Sequence, residues 1–113
     1  MSEFDFFAEM PVAVTVCDTE GIIVYMNDKS IATFQKDGGS DLIGRPMLDC
    51  HPGASKDKVK KLLAGEKPNT YTIEKNGLHK MIHQTPWYVA GVYQGFIEFS
   101  FEIPADVPHF VRE

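Results

Sequence analysis

No apolar run in the chain approaches the roughly 20 residues of a membrane-spanning helix, and no basic segment precedes an apolar one at its start. Those two absences point away from a helical anchor and a secretory leader. Cysteine is scarce as well. Cys17 and Cys50 are too few for a disulfide framework, which fits a reducing, cytoplasmic setting. Between Met1 and Asp28 there is no lysine or arginine, while six acids stand there: Glu3, Asp5, Glu9, Asp18, Glu20 and Asp28. With a formal net charge of −5 over 113 residues, the balance argues against a nucleic-acid partner held through phosphates. Glycine-rich phosphate loops are missing. Ser30, Ser40, Ser55 and Ser100 sit in no Gly-x-Ser-x-Gly elbow, and the acids are dispersed, so no catalytic centre is expected.

What is present suits one folded domain. The chain is 43% apolar and 12% aromatic, enough for a single core, and no repeat or linker divides it. Ser2 with Asp5 resembles a capping box, Phe4 and Phe7 follow at helical spacing and Pro11 stops the pattern, which predicts a helix over Ser2–Met10. Phe4, Phe6 and Phe7 are more aromatics than so short a helix buries alone, so a homodimer contact is expected of them. Val12–Cys17 and Ile22–Met26 are β-branched runs joined by Asp18-Thr19-Glu20-Gly21, a hairpin signature. Asn27 is placed to cap a short helix carrying Ile31, Ala32 and Phe34, ended by Gly38-Gly39.

Asp41–Pro46 reads as one helical turn closed by Gly44. Ser55 opens a clearer helix with Val59, Leu62 and Leu63 on one face and lysines on the other. From Thr70 the period changes to two. Thr70–Glu74 and Leu78–Tyr88 flank Asn76-Gly77, the strongest short hairpin signal, and Ala90-Gly91 marks the next turn. In Gly95–Ile103, Ile97, Phe99, Phe101 and Ile103 alternate with Glu98, Ser100 and Glu102, and the apolar set is expected to face the core. The order predicts an α+β domain with one antiparallel sheet. An N-terminal amphipathic helix occupies 1–10, the domain 11–104, and a surface tail 105–113.

Pro11-Val12-Ala13-Val14, leading into Asp18-x-x-Gly21-x-x-Val24-Tyr25-x-Asn27, then Leu42-Ile43-Gly44-Arg45 and a final hairpin with Gly91 and Gly95, resembles a PAS domain from about Met10 to Ile103. The resemblance implies a five-stranded antiparallel sheet in the order 2-1-5-4-3, short helices on one face and a cavity between them. It also implies a sensory or protein-interaction role without catalysis. In such domains an N-terminal helix packs on the outer sheet face of a second copy, a contact that would join Phe96 to Phe4, Phe6 and Phe7. No output domain follows on the chain, so an unidentified signalling protein is expected as partner.

The ligand classes of the family meet these residues unevenly. Flavin photochemistry of the LOV type needs Asn-Cys-Arg-Phe-Leu-Gln, and Asp49-Cys50-His51-Pro52 lacks its arginine and glutamine. A haem-based redox or gas sensor would take His51 as axial ligand, with Cys50 beside it. His79 and His83 stand four apart on a strand, about 13 Å along the chain, too far to share a metal ion. An unidentified small molecule suits an apolar wall of Tyr25, Phe34, Trp87 and Phe99 with Asn27, Cys50, His51, His83, Gln84 and Thr85 as polar groups. His83 would respond to pH if it faced that cavity. The alternative is that the aromatics fill the core and the chain is a ligand-free dimerisation module.

Overall fold

The computed structural model describes residues 5–47 and 56–113. Its strands are β1 (Ala13–Cys17), β2 (Ile23–Met26), β3 (Asn69–Lys75), β4 (Leu78–Val89) and β5 (Val92–Ile103), and its α-helices are α1 (Asp28–Thr33) and α2 (Lys56–Gly65). All five strands form one antiparallel sheet in the order β2-β1-β5-β4-β3. Single turns of 3-10 helix at Gln35–Asp37 and Gly39–Leu42 follow α1.

Local chemistry sets most of these elements. Asp18 Oδ1 accepts hydrogen bonds from the backbone N–H groups of Glu20 (2.9 Å) and Ile22 (3.0 Å), folding the chain between β1 and β2. Asn76 and Gly77 (φ 54° and 77°) turn β3 into β4, and Ala90 and Gly91 (φ 48° and 80°) turn β4 into β5, both left-handed pairs that match strand twist. Residues 44–47 run beside β2: Gly44 N–H bonds to the Ile23 carbonyl, Ile23 N–H to Arg45 and Met47 N–H to Gly21.

The helix expected over Ser2–Met10 is not there among the described residues. Asp5–Phe7 form one turn of 3-10 helix, and Met10 N–H reaches back to the Phe7 carbonyl at 3.2 Å. Two features explain the shortening. The fourth residue after Phe7 is Pro11, which has no N–H to give an α-helical bond. Phe7 and Ala8 instead offer their carbonyls to Asn27 Nδ2 (2.8 Å) and Asp28 N–H (3.0 Å).

Residues paired across antiparallel strands share a face, so the register separates the two sides of the sheet. Toward the helices point Thr15 and Cys17 of β1, Ile82 and Gln84 of β4, and Phe96, Glu98 and Ser100 of β5. The core lies there, with Cys17, Ile23, Met26, Leu42, Met47, Leu63 and Phe96 buried together and Ile31, Phe34, Val59, Leu62 and Tyr93 packed around them. Away from the helices point Val14, Val16, Ile97, Phe99, Phe101 and Ile103. The apolar stripe of β5 is therefore on the outer face, opposite to the expectation. Phe7 lies against it, its ring 6.4 Å from that of Phe99.

At Gly95 the backbone of β5 passes so close to β1 that a Cβ would lie 2.0 Å from the Cys17 carbonyl oxygen, and φ there is 135°. Only glycine meets both conditions.

Candidate functional site

Among the described residues, two cavities that share Glu98 lie between the inner sheet face and the helical side. The deeper one, lined by Thr15, Cys17, Met47, Leu62, Gln84 and Phe96, has about 20 Å³ and holds no more than a water molecule. Next to it Phe34 and Asp37 face Tyr71, Ile73, Lys80, Ile82, Glu98 and Ser100 across a cavity of about 360 Å³, within the range of small-molecule sites.

A polar chain crosses the floor. Asn69 Nδ2 donates to Gln84 Oε1 at 3.0 Å, and Gln84 Nε2 donates to Glu98 Oε2 at 3.1 Å. The register explains the run, since Asn69, Gln84, Glu98 and Thr15 occupy one row across β3, β4, β5 and β1. Thr15 Oγ1 in turn shares a hydrogen bond with Ser30 Oγ of α1. Partial burial, and then the Glu98 carboxylate, raise the Tyr71 phenol above its ordinary value, so Tyr71 keeps its proton and remains a donor. One row further, Ser100 is only 8% exposed, and among the described residues its hydroxyl makes no hydrogen bond.

Of the ligand candidates read from the sequence, Phe34 lines the larger cavity and Gln84 the deeper, smaller one. Asn27 lines neither. It is 2% exposed and spends its whole amide on the backbone. Oδ1 accepts from Val14 N–H (2.9 Å) and Ser30 N–H (3.0 Å), while Nδ2 donates to the carbonyls of Phe7 and Val12 (2.8 Å each). Tyr25, His83, Thr85, Trp87 and Phe99 share the outer face, paired with Val16, Phe99, Ile97, Gly95 and His83 respectively. His83 Nδ1 bonds Thr70 Oγ1 at 2.7 Å there, so it does not face the cavity. Among the described residues, the buried Trp87 indole Nε1 has no hydrogen-bond partner. Cys50 and His51 lie outside the described residues.

The dimer candidates also separate. Phe96 is 3% exposed in the core beneath Leu63 and Met47, so it is not available to an outer-face contact. Phe7 rests on its own sheet, Phe6 is 71% exposed, and Phe4 lies outside the described residues.

Sequence reasoning missed Tyr71, Lys80, Glu98 and Ser100 because it assigned the faces of β5 in reverse. The signal that sets the parity is a bulge. Tyr88 pairs with Tyr93 and Trp87 with Gly95, so one extra residue on β5 exchanges the faces beyond that point.

A family model described as the PAS fold matches residues 7–103. The chain belongs to this family, whose members are modules of signal transduction and are generally not catalytic. The sensor region of a sensor histidine kinase is 22% identical with a TM-score of 0.61, over 80% of this chain and 38% of that one. The PAS domain of Bordetella pertussis BvgS is 18% identical with a TM-score of 0.67, over 88% of this chain and 82% of that one. The Aer2 receptor of Vibrio cholerae, described as a dual PAS-haem oxygen sensor, is 16% identical with a TM-score of 0.63, over 82% and 95%. At such identities these likenesses speak for the fold. No curated protein matches the sequence. Among the described residues, no helix is long and apolar enough to cross a membrane.

Proposed function

We propose that the chain is a non-catalytic sensory module whose signal is a small molecule held between the inner sheet face and α1, and which passes that signal to a protein partner. The observation that carries this reading is the composition of the sheet floor. A helix-facing surface that served packing alone would be apolar, since buried polar groups cost stability unless bonded. Here Asn69, Gln84 and Glu98 form an ordered hydrogen-bonded row beside a cavity of about 360 Å³. Such a row fixes where a carboxylate points, which is what recognition of a ligand requires. The test is mass spectrometry of what the purified protein releases on denaturation. A stoichiometric small molecule supports the reading, and its loss from Glu98→Ala protein would place it at this row.

A second reading is a homodimeric interaction module without ligand. What favours it is the outer face, where Phe99 and Phe101 stand with Ile97 and Ile103, together with the exposed Phe6. Gel filtration with light scattering tests it: a monomer at high micromolar concentration removes it. Haem ligation by His51 rests on residues outside those described. An absorption spectrum decides it, since a haem protein shows a Soret band that His51→Ala would remove.

A further inference from the structure

We propose that β3 is the seam of a homodimer, in which the edge strands of two copies pair antiparallel about a two-fold axis at Thr72 and join their sheets into one. The seam is distinct from the outer face that carries Phe99 and Phe101, and it does not depend on a ligand in the cavity.

The two edges of the sheet differ. Along β2 the chain covers its own edge, with Gly44 N–H on the Ile23 carbonyl, Ile23 N–H on Arg45 and Met47 N–H on Gly21. Along β3, among the described residues, no backbone hydrogen bond arrives from outside the sheet, and all seven residues of Asn69–Lys75 are exposed. A solvent-facing edge is ordinarily blunted by proline, by a bulge or by charge in mid-strand. The ladders of β1 with β2 and of β4 with β5 each carry a bulge, whereas that of β3 with β4 is regular from end to end. Its middle, Thr70-Tyr71-Thr72-Ile73, holds neither proline nor charge and consists of residues that suit strands.

Strand geometry selects a second copy of this chain as the occupant, in one register. Asn76 and Gly77 form a two-residue turn, so the flanking Lys75 and Leu78 exchange both their hydrogen bonds. Alternation then commits Asn69, Tyr71, Ile73 and Lys75 to β4 and turns the N–H and C=O groups of Thr70, Thr72 and Glu74 outward. Pro68, which has no N–H, bounds that outward ladder at one end and the turn bounds it at the other. With Thr72 on the axis, Thr72 bonds its own counterpart and Thr70 bonds Glu74, so every outward group finds a partner. A slip by two residues leaves Thr70 or Glu74 without one. The side chains agree with this register. Tyr71 meets Ile73 of the second copy, joining side chains that stand 40% and 37% exposed, while Lys75 faces Asn69 and Glu74 faces Thr70, with no like charges directly opposed. Tyr71 and Ile73 also line the 360 Å³ cavity, so the seam runs along its rim in each copy.

One short strand pair covers little area, so the association is weak, and sedimentation equilibrium of the full chain should follow it from low micromolar to about 1 mM. The parent should pass from monomer to dimer over that range. Thr72→Pro removes an outward N–H that β4 does not use, and Thr72→Lys sets two ammonium groups face to face on the axis. Each should weaken the dimer about tenfold or more while keeping the parent's circular dichroism spectrum. Phe101→Lys, on the outer face, should leave the dimer unchanged. The register has its own test. Thr70→Lys, opposite Glu74 of the second copy, should hold the dimer about threefold or more tighter than Thr70→Glu. Both variants lose the bond to His83, so their difference reports the pairing. A parent that stays monomeric throughout overturns the proposal and returns the edge to solvent or to an extended segment of another protein. A dimer that Thr72→Lys leaves intact also overturns it, and loss with Phe101→Lys instead would assign that dimer to the outer face. Equal dimers from Thr70→Lys and Thr70→Glu overturn the register. If Thr72→Pro does not fold, Thr72→Lys at the same exposed position decides.

Discussion

Replacing Asn27 by alanine tests whether one side chain ties the amino-terminal segment, β1 and α1 together. The amide makes four hydrogen bonds, two as acceptor and two as donor, at 2.8 to 3.0 Å. Each intramolecular bond contributes about 0.5–1.5 kcal/mol net, and a buried backbone group left without a partner costs more. Water entering the vacated space restores part of the loss, so the expected destabilisation is about 3–5 kcal/mol. Against a total of about 5–15 kcal/mol for a domain, that is a large fraction. Unfolding entropy near 2.1 cal/mol/K per residue gives about 0.24 kcal/mol/K for this length, so the melting temperature should fall by about 12–20 °C. Asn27→Asp sharpens the test. It keeps both acceptor bonds but sets a carboxylate oxygen against the carbonyls of Phe7 and Val12, so it should lose at least as much as alanine despite its size. The assay is thermal and urea unfolding followed by circular dichroism. A fall of less than about 4 °C for alanine, or an aspartate variant as stable as the parent, would refute the reasoning.

Three further outcomes follow from the same physics. Gly95→Ala should cost at least about 3 kcal/mol in urea unfolding, because its Cβ would meet the Cys17 carbonyl oxygen and its φ is unsuited to any other residue; an unchanged midpoint would mean that β5 passes β1 at a greater distance. Phe96→Ala should lose about 3–5 kcal/mol through the cavity it leaves in the core, while leaving the elution volume of the folded protein unchanged; a changed association state with stability intact would return Phe96 to an interface. Tyr93 donates its hydroxyl to the Leu63 carbonyl at 2.8 Å, and burial foremost, then the neighbouring Cys17, Glu66 and Tyr88, push its phenol up to about 12. The folded state thus holds this proton more tightly than the unfolded chain, so the contribution is complete below pH 10 and is lost as pH rises from 10 to 12. Tyr93→Phe should flatten the stability profile over that interval, and an unchanged slope would sink the assignment.

The elements were legible where a residue has one physical use. Asn76-Gly77 and Ala90-Gly91 admit the left-handed backbone that a two-residue hairpin needs, and Asp18 and Asn27 bond the backbone beside them, so the turns and the cap followed from local chemistry, whereas β5 begins at Val92 rather than at Gly95. The sheet order came with the family resemblance. The amino-terminal helix was misread because the capping pattern at Ser2 is local, whereas the claim of Asn27 on the Phe7 carbonyl comes from twenty residues away. Phe34 was found as a wall residue since its helix can turn only one apolar side to the sheet.

The site itself was hidden by a reasonable assumption that fails for a sheet with two apolar faces. Alternation in β5 divides Ile97, Phe99, Phe101 and Ile103 from Glu98 and Ser100, yet it does not say which set meets the helices. Apolar side chains need burial, but any cover will serve, and on the outer face Val14 is fully buried and Phe7 lies over Phe99. The polar set faces the helices because Phe96, past the bulge, takes the space between Leu63 and Met47, and the strand period then carries Glu98 and Ser100 onto the same side. A single extra residue near Trp87 therefore decides whether the floor of the fold is a packed apolar surface or a row of hydrogen-bonding groups. Gln84 and Glu98 are held on that floor by their hydrogen bond to each other, so the row keeps its place without the apolar packing that the alternation alone would have predicted there.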